Sequence, residues 1–171
     1  MSETIRIIQP TVSNFQIAEG LRTRDLISRL TKLDSDERDN LINETTEILS
    51  QCVNPVNTIG STTGIAIGYV QSGKTMSFTT LTALALDNGF RIVIYFAGIK
   101  VNLLEQTTKR LKKDLHTDGD NARFFKVYQS PSVSDNVHGK IQSALRLNHK
   151  PAILITVLKH YKHIEELTKI F

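Results

Sequence analysis

The sequence predicts an α/β fold, in which a small helical segment at residues 1–55 precedes a parallel sheet with covering helices at residues 56–171. Three observations indicate this. Apolar residues recur at helical spacing in the first segment, and from residue 63 short apolar runs alternate four times with helical patterns. The chain has 171 residues, of which 40% are hydrophobic, enough for one sizeable core. Strands that alternate with helices are typically parallel and joined by right-handed crossovers.

The N-terminal segment is predicted to hold two helices. "RTRDLISRLTKL" (residues 22–33) and "SDERDNLINETTEILSQCV" (residues 35–53) each place apolar residues along one helical face. Ser35 and the acidic residues after it are typical of a helix start. Pro55 and the run "NTIGSTTG" then end the helical pattern.

The remainder is predicted to contain four strands and four helices. The second strand, "RIVIYFAG", has the continuous apolar centre expected when both faces of a sheet are covered. Gly89 is placed where a helix would end. The predicted strands are residues 64–70, 91–98, 123–129 and 151–158, and the predicted helices are residues 74–89, 101–115, 137–147 and 159–170.

A glycine-rich motif joins the first predicted strand to the first helix of the sheet region. "GYVQSGKT" fits the phosphate-binding pattern G-x-x-x-x-G-K-[ST] through Gly68, Gly73, Lys74 and Thr75. Glycines let main-chain N–H groups approach a phosphate, and the helix N-terminus adds partial positive charge. Lys74 is predicted to reach the β- and γ-phosphates, and the Thr75 hydroxyl to bind Mg²⁺. The alternative is a glycine-rich turn that carries an exposed lysine.

Three further segments resemble a known family. "RIVIYFAGIKVNLLEQTTKRL" is similar to the segment of superfamily-two helicases in which a strand ends in a loop and a helix then carries Leu-x-x-Gln, here Leu103 to Gln106. "GIAIGYVQSGKT", "IYFAGIKVNLLEQTTKRL" and "ILITVLKHYKHIEEL" together resemble the N-terminal part of the Z-one domain family, over about residues 40–171. These prokaryotic P-loop proteins are related to the helicases and linked with restriction-like defence systems.

The resemblance implies a partial RecA-like P-loop NTPase core that binds ATP and Mg²⁺. It also implies loops that contact a nucleic-acid backbone, with DNA favoured over RNA. For Lys100 and Lys159, which the resemblance places among these backbone contacts, the alternative is an ordinary solvated surface lysine. For Gln106, the alternative is a hydrogen bond at the N-terminus of its helix. Gln51 is a candidate for adenine recognition. The implied ATP site is Gly68, Gln71, Ser72, Gly73, Lys74 and Thr75, with Lys74 and Thr75 catalytic, and the implied nucleic-acid contacts are Gly98, Ile99, Lys100, Thr156 and Lys159.

Some parts that ATP hydrolysis requires are missing from the sequence. No apolar strand after residue 75 ends in the aspartate that would hold Mg²⁺, and no arginine finger is evident. We therefore expect the front of a longer helicase-like hydrolase, truncated before the Walker B strand, that binds ATP without turning it over. Its incomplete sheet favours self-association. A small-molecule kinase or other phosphotransferase and a non-catalytic interaction module are the alternatives.

Charge and cysteine content add weaker indications. Residues 100–171 carry 13 Lys and Arg against 7 Asp and Glu, which permits a polyanionic partner or simply a solvated basic face. Cys52 is the only cysteine, so an internal disulfide is excluded and a buried thiol is predicted. No leader or membrane-length apolar run is present, which favours the cytoplasm and no membrane partner. His160, His163 and Glu166 have metal-capable spacing, but a solvent-facing helix is preferred.

Overall fold

The computed structural model describes residues 15–56, 60–65 and 74–171. The chain divides between Phe90 and Arg91 into two compact units. This division differs in place from the predicted boundary after residue 55, which stays a prediction. Within the described residues, no helix combines the length and the apolar character needed to cross a membrane.

In the described part of the first unit there are three helices, α1 (Leu21–Ser28), α2 (Ser35–Ser50) and α3 (Lys74–Asp87). Both α1 and α2 pack against α3. Because α3 is apolar on most sides, it is largely buried, and Leu84 is fully so. The core of this unit joins Leu49 of α2 to Leu84 and Ala85 of α3, with Phe15, Ile17, Cys52, Leu81 and Phe90 packed around them.

Helix ends in the first unit correct two details of the sequence analysis. The first helix was predicted to reach residue 33, but α1 ends at Ser28. The start of α2 is capped by Asp34, one residue before the predicted Ser35. The Oδ1 of Asp34 accepts the N–H of Glu37 at 2.8 Å, and the Oε2 of Glu37 accepts the N–H of Asp34 at 3.0 Å. This reciprocal capping box satisfies two N–H groups, so it stabilises the helix start more fully than a serine alone would.

The end of α3 is as predicted. Gly89 adopts φ +96°, a conformation that a residue with a Cβ rarely tolerates. The N–H of Phe90 donates to the carbonyl of Ala85 at 3.0 Å, which is the long hydrogen bond of a Schellman motif. Gly89 therefore ends α3 by turning the chain back over its last turn.

The second unit is a parallel sheet covered by helices on both faces. The strand order is β1-β3-β2, and both pairs are parallel. Every residue of the central strand is buried. The elements are β1 (Ile92–Phe96), α4 (Val101–Asp114), β2 (Phe125–Gln129), α5 (Val137–Leu145), β3 (Ala152–Val157) and α6 (Tyr161–Ile170), with 3₁₀ turns at Gly119–Phe124 and Val133–Asp135.

The two faces of β3 meet different helices because side chains alternate along a strand. Residues 153, 155 and 157 share one core with α5 and α6. Thr156 lies on the opposite face, where it contacts Thr108 of α4. The α/β class with a parallel sheet is thereby confirmed. The first predicted strand, residues 64–70, lies mostly outside the described residues, and Gly64 and Ile65 are not in a strand.

Candidate functional site

The phosphate-binding motif falls only partly within the described residues. Gly68, Gln71, Ser72 and Gly73 lie outside them. Lys74 is the first described residue of α3, and Thr75 follows it in the first turn. Thr75 is half-buried, and its carbonyl accepts the hydroxyl of Thr79 at 2.8 Å. The Lys-Thr pair thus lies at the described start of a helix, where N–H groups lack intrahelical partners and negative charge is favoured.

The loop after β1 carries three of the predicted nucleic-acid contacts. Gly98 adopts φ +87°, and a Cβ there would lie 3.3 Å from Cδ1 of Leu103. Ile99 and Lys100 are exposed. Lys100 is also the N-cap of α4, and its carbonyl accepts the N–H of Leu103 at 3.1 Å. The glycine is therefore required by the backbone, while the exposed Ile99 and Lys100 are accessible to a ligand.

The loop after β3 lies beside the loop after β1. The N–H of Lys159 donates to the carbonyl of Gly98 at 2.6 Å, and the N–H of Ala97 donates to the carbonyl of Val157 at 2.8 Å. Lys159 is exposed, as Lys100 is. We call residues 98–100 and 158–160 together the carboxyl edge. Ligands of open parallel sheets typically bind at such an edge. The structure thus brings together two segments in which the sequence predicts separate nucleic-acid contacts.

Thr156 differs from the other predicted contacts because it is fully buried. Its hydroxyl lies 2.6 Å from that of Thr108, and the Thr108 hydroxyl donates to the carbonyl of Leu104 at 2.8 Å. Since Thr108 has one proton to donate, Thr156 must be the donor of the pair. These surroundings give Thr156 a role in packing α4 on the sheet, and its predicted contact with nucleic acid stays a prediction.

Ser130, which the sequence did not indicate, lies beside the end of β3. It follows β2 directly and donates its N–H to the carbonyl of Thr156 at 2.8 Å. Its φ of +43° is unusual for a residue with a Cβ. Its hydroxyl oxygen is buried and has no hydrogen-bond partner within the described part of the chain. The available signal was its position after the third predicted strand, equivalent to that of Gly98 after the second.

The three residues with metal-capable spacing, His160, His163 and Glu166, make other contacts in the structure. His160 caps the helix, with its Nδ1 accepting the N–H of Lys162 at 3.4 Å. The Oε2 of Glu166 accepts the N–H of Val133 at 3.0 Å. His163 stacks edge-on against His160, with ring centroids 6.2 Å apart. Among residues 15–56, 60–65 and 74–171, no three metal-ligating side chains gather at one point.

The two glutamine candidates lie on different elements. Gln51 is the C-cap of α2, and its Nε2 donates to the Ser50 hydroxyl at 3.3 Å. Its Oε1 is buried with no hydrogen-bond partner in the described residues. Gln106 is exposed on α4. The position of Gln51 does not test adenine recognition, which stays a prediction, and the exposed position of Gln106 does not test its role in the Leu-x-x-Gln motif.

The cysteine has the environment expected of a structural thiol. Cys52 is half-buried against the core of the first unit. Its thiol donates to the carbonyl of Ile48 at 3.7 Å, and burial raises the pKa of Cys52 above its ordinary value. A smaller thiolate fraction makes this cysteine a weak nucleophile near neutral pH.

In comparisons with known proteins, no family model, curated protein or solved structure matches this chain. The resemblance to the Z-one domain family therefore stays a prediction that depends on the motifs at residues 64–75, 94–111 and 153–167.

Proposed function

We propose that this chain binds ATP with Mg²⁺ and forms the ATP-binding portion of a helicase-like, nucleic-acid-dependent ATPase or translocase. The observation that carries the proposal is the complete phosphate-binding motif from Gly68 to Thr75, with its Lys-Thr pair at the described start of α3. Membership of a restriction-type or nuclease-associated defence protein is part of the same proposal and depends on the family resemblance alone.

The roles of the motif residues follow from their chemistry. Gly68 and Gly73 allow the main chain to approach a phosphate closely, so that N–H groups donate to its oxygens. Lys74 supplies a cation to the β- and γ-phosphates. Thr75 would hold Mg²⁺, which neutralises phosphate charge when it is bound. The position of Lys74 and Thr75 in the first turn of α3 supports a phosphate site there, because the helix dipole favours an anion at the start of a helix.

The carboxyl edge supports the nucleic-acid part of the proposal. Lys100 and Lys159 are exposed on loops that a backbone hydrogen bond holds together. Residues 91–171 carry 14 Lys and Arg against 7 Asp and Glu, a net charge of +7. A backbone of phosphates is attracted to such a surface whatever its base sequence. Two loops fixed against each other would hold successive phosphates at a defined spacing.

The test of the ATP site is a substitution of its lysine. Lys74→Ala should weaken the binding of ATP with Mg²⁺ by about tenfold or more, because a charge-assisted contact to phosphate is lost. Isothermal titration calorimetry measures this affinity directly. Lys32→Ala is the matched control, since Lys32 is an exposed lysine of the same unit outside the motif. Equal affinity for ATP in the Lys74 and Lys32 variants would remove the site assignment.

A further inference from the structure

A groove on the second unit has no part in the proposed ATP site or at the carboxyl edge. It lies between β2 and α5 and has a volume of about 550 Å³. Pockets for small molecules typically measure about 300–1,000 Å³. Its polar lining consists of Lys126 and Tyr128 of β2, Asn136 at the start of α5, and Lys140 and Ser143 of α5.

These five polar side chains share one property. None of them has a hydrogen-bond or ion-pair partner among the side chains and backbone groups that the structure describes, although they come from two elements and line one groove. Among the side chains that the structure describes, no acidic one lines the groove. Two ammonium groups without a carboxylate between them create a site of positive charge, and the hydroxyls and the amide supply further hydrogen bonds to an anion.

The start of α5 places the side chain of Asn136 beside this groove. Asn136 adopts a left-handed conformation, with φ +51°, and its side chain makes no capping hydrogen bond. Gly139 lies inside the helix, where glycine costs about 1 kcal/mol relative to alanine. A Cβ on Gly139 would lie only 2.8 Å from Oδ1 of Asn136. The glycine thus provides the room in which the Asn136 amide lies against the first turn.

The remaining surface of the groove is apolar. The Tyr128 ring packs against the core of the sheet and is therefore held in place. Ala144 and Leu147 also line the groove. Burial raises the pKa of Tyr128, so its hydroxyl stays protonated and able to donate. A fixed aromatic ring beside apolar side chains offers a surface on which a flat heterocycle can stack.

From these features we infer that the groove between β2 and α5 is a second ligand site, specific for a nucleoside monophosphate whose phosphate lies between Lys126 and Lys140. The base packs against Tyr128 and Leu147, and Asn136 and Ser143 donate to the phosphate or the sugar. A phosphate ion alone would fill only a small part of a groove of about 550 Å³, which is why the proposed ligand also carries a sugar and a base.

The experiment is a titration followed by amide chemical shifts in the Lys74→Ala protein, in which binding at the phosphate-binding motif is weakened and the shifts of the groove can be followed separately. AMP should shift the amides of Lys126, Tyr128 and Lys140 in a saturable manner. Adenosine and inorganic phosphate should each bind at least about tenfold more weakly, since each lacks one half of the recognition.

Lys126→Ala/Lys140→Ala should lower the AMP affinity at least about tenfold. Both lysines are exposed, so the fold should be kept. Lys109→Ala/Lys113→Ala removes two exposed lysines of α4 and serves as the control that should leave AMP affinity unchanged. The inference is overturned if adenosine matches AMP, if inorganic phosphate matches AMP, or if the two double variants bind AMP equally.

Discussion

The hydroxyls of Thr108 and Thr156 form a buried hydrogen bond whose contribution to the free energy of unfolding can be measured. Both side chains are almost fully buried, and the oxygens lie 2.6 Å apart. Thr156→Val should reduce the free energy of unfolding by about 1–2 kcal/mol, because it removes the donor and leaves an unsatisfied acceptor on Thr108. Urea denaturation measures the change.

A second substitution separates this pair from simple packing. Thr108→Val in the Thr156→Val protein should cost less than it does in the original protein, since replacing both partners with apolar groups is nearly neutral. Thr168→Val is a control at an exposed hydroxyl. Strictly additive losses in the double variant would contradict the pairing.

The raised pKa of Cys52 predicts how the reactivity of its thiol depends on pH. Burial raises the pKa of its thiol in the folded protein, so the folded state holds the proton more tightly than the unfolded state does. Alkylation by iodoacetamide should therefore be slower in the folded protein than in 8 M urea, and its pH profile should be displaced to higher pH. Stability from this group is present below the unfolded pKa and lost as pH rises through the folded one. Identical pH profiles in both states would refute the assignment.

In the first unit, a side chain at the end of α3 caps the N-terminus of α1. Gly20, the N-cap of α1, has no side chain to offer, and Asp87 at the end of α3 takes that role. Its Oδ2 accepts the N–H and the hydroxyl of Thr23, both at 2.9 Å. A Cβ on Gly20 would lie 2.6 Å from Cγ of Asp87. The glycine and the aspartate therefore depend on each other.

Asp87→Ala tests this capping between helices. It should lower the free energy of unfolding by about 2–3 kcal/mol, because it leaves N–H groups of α1 without an acceptor and removes a negative charge from its N-terminus. Asp87→Asn keeps one acceptor oxygen and should cost less. Asp39→Ala, at an exposed position of α2, should change stability by no more than about 0.5 kcal/mol. Guanidinium denaturation compares the three, and a similar small loss in all of them would exclude a capping role.

For the whole molecule, the sequence predicted elements better than it predicted their arrangement. The strand predicted at residues 151–158 is β3 at Ala152–Val157, since a continuous apolar run is a local signal. The order β1-β3-β2 is set by packing between distant segments, which alternation alone does not specify. For the same reason the sequence did not reveal the packing role of Thr156, because its partner Thr108 lies 48 residues away along the chain.

The residues of the predicted site also differ in how far the sequence alone could locate them. The positions of Gly98 and Lys159 after strands were readable because strand ends are local features. Ser130 was missed because its left-handed backbone and its buried hydroxyl are properties of the folded edge. The groove between β2 and α5 had no sequence signal, since its lysines are 14 residues apart on different elements.

The uneven charge of the whole chain leads to the last prediction, which concerns the carboxyl edge. A labelled single-stranded oligonucleotide should bind with an affinity that falls as salt rises, because lysines that neutralise phosphates release counterions. Lys100→Ala/Lys159→Ala should reduce the slope of log K against log[salt] by about 1.4, from roughly 0.7 per phosphate contact on a single strand. Fluorescence anisotropy at several salt concentrations gives this slope.

A control variant distinguishes binding at the carboxyl edge from general attraction to a basic surface. Lys109→Ala/Lys113→Ala removes the same charge from exposed positions of α4 in the same unit. If general attraction to a unit of net charge +7 accounts for binding, both double variants should lose affinity and slope alike. If the backbone hydrogen bond between Gly98 and Lys159 positions two phosphate contacts, only the Lys100/Lys159 variant should lose slope. Equal slopes in the two variants would therefore count against the carboxyl edge as the nucleic-acid site, even if the protein binds the oligonucleotide.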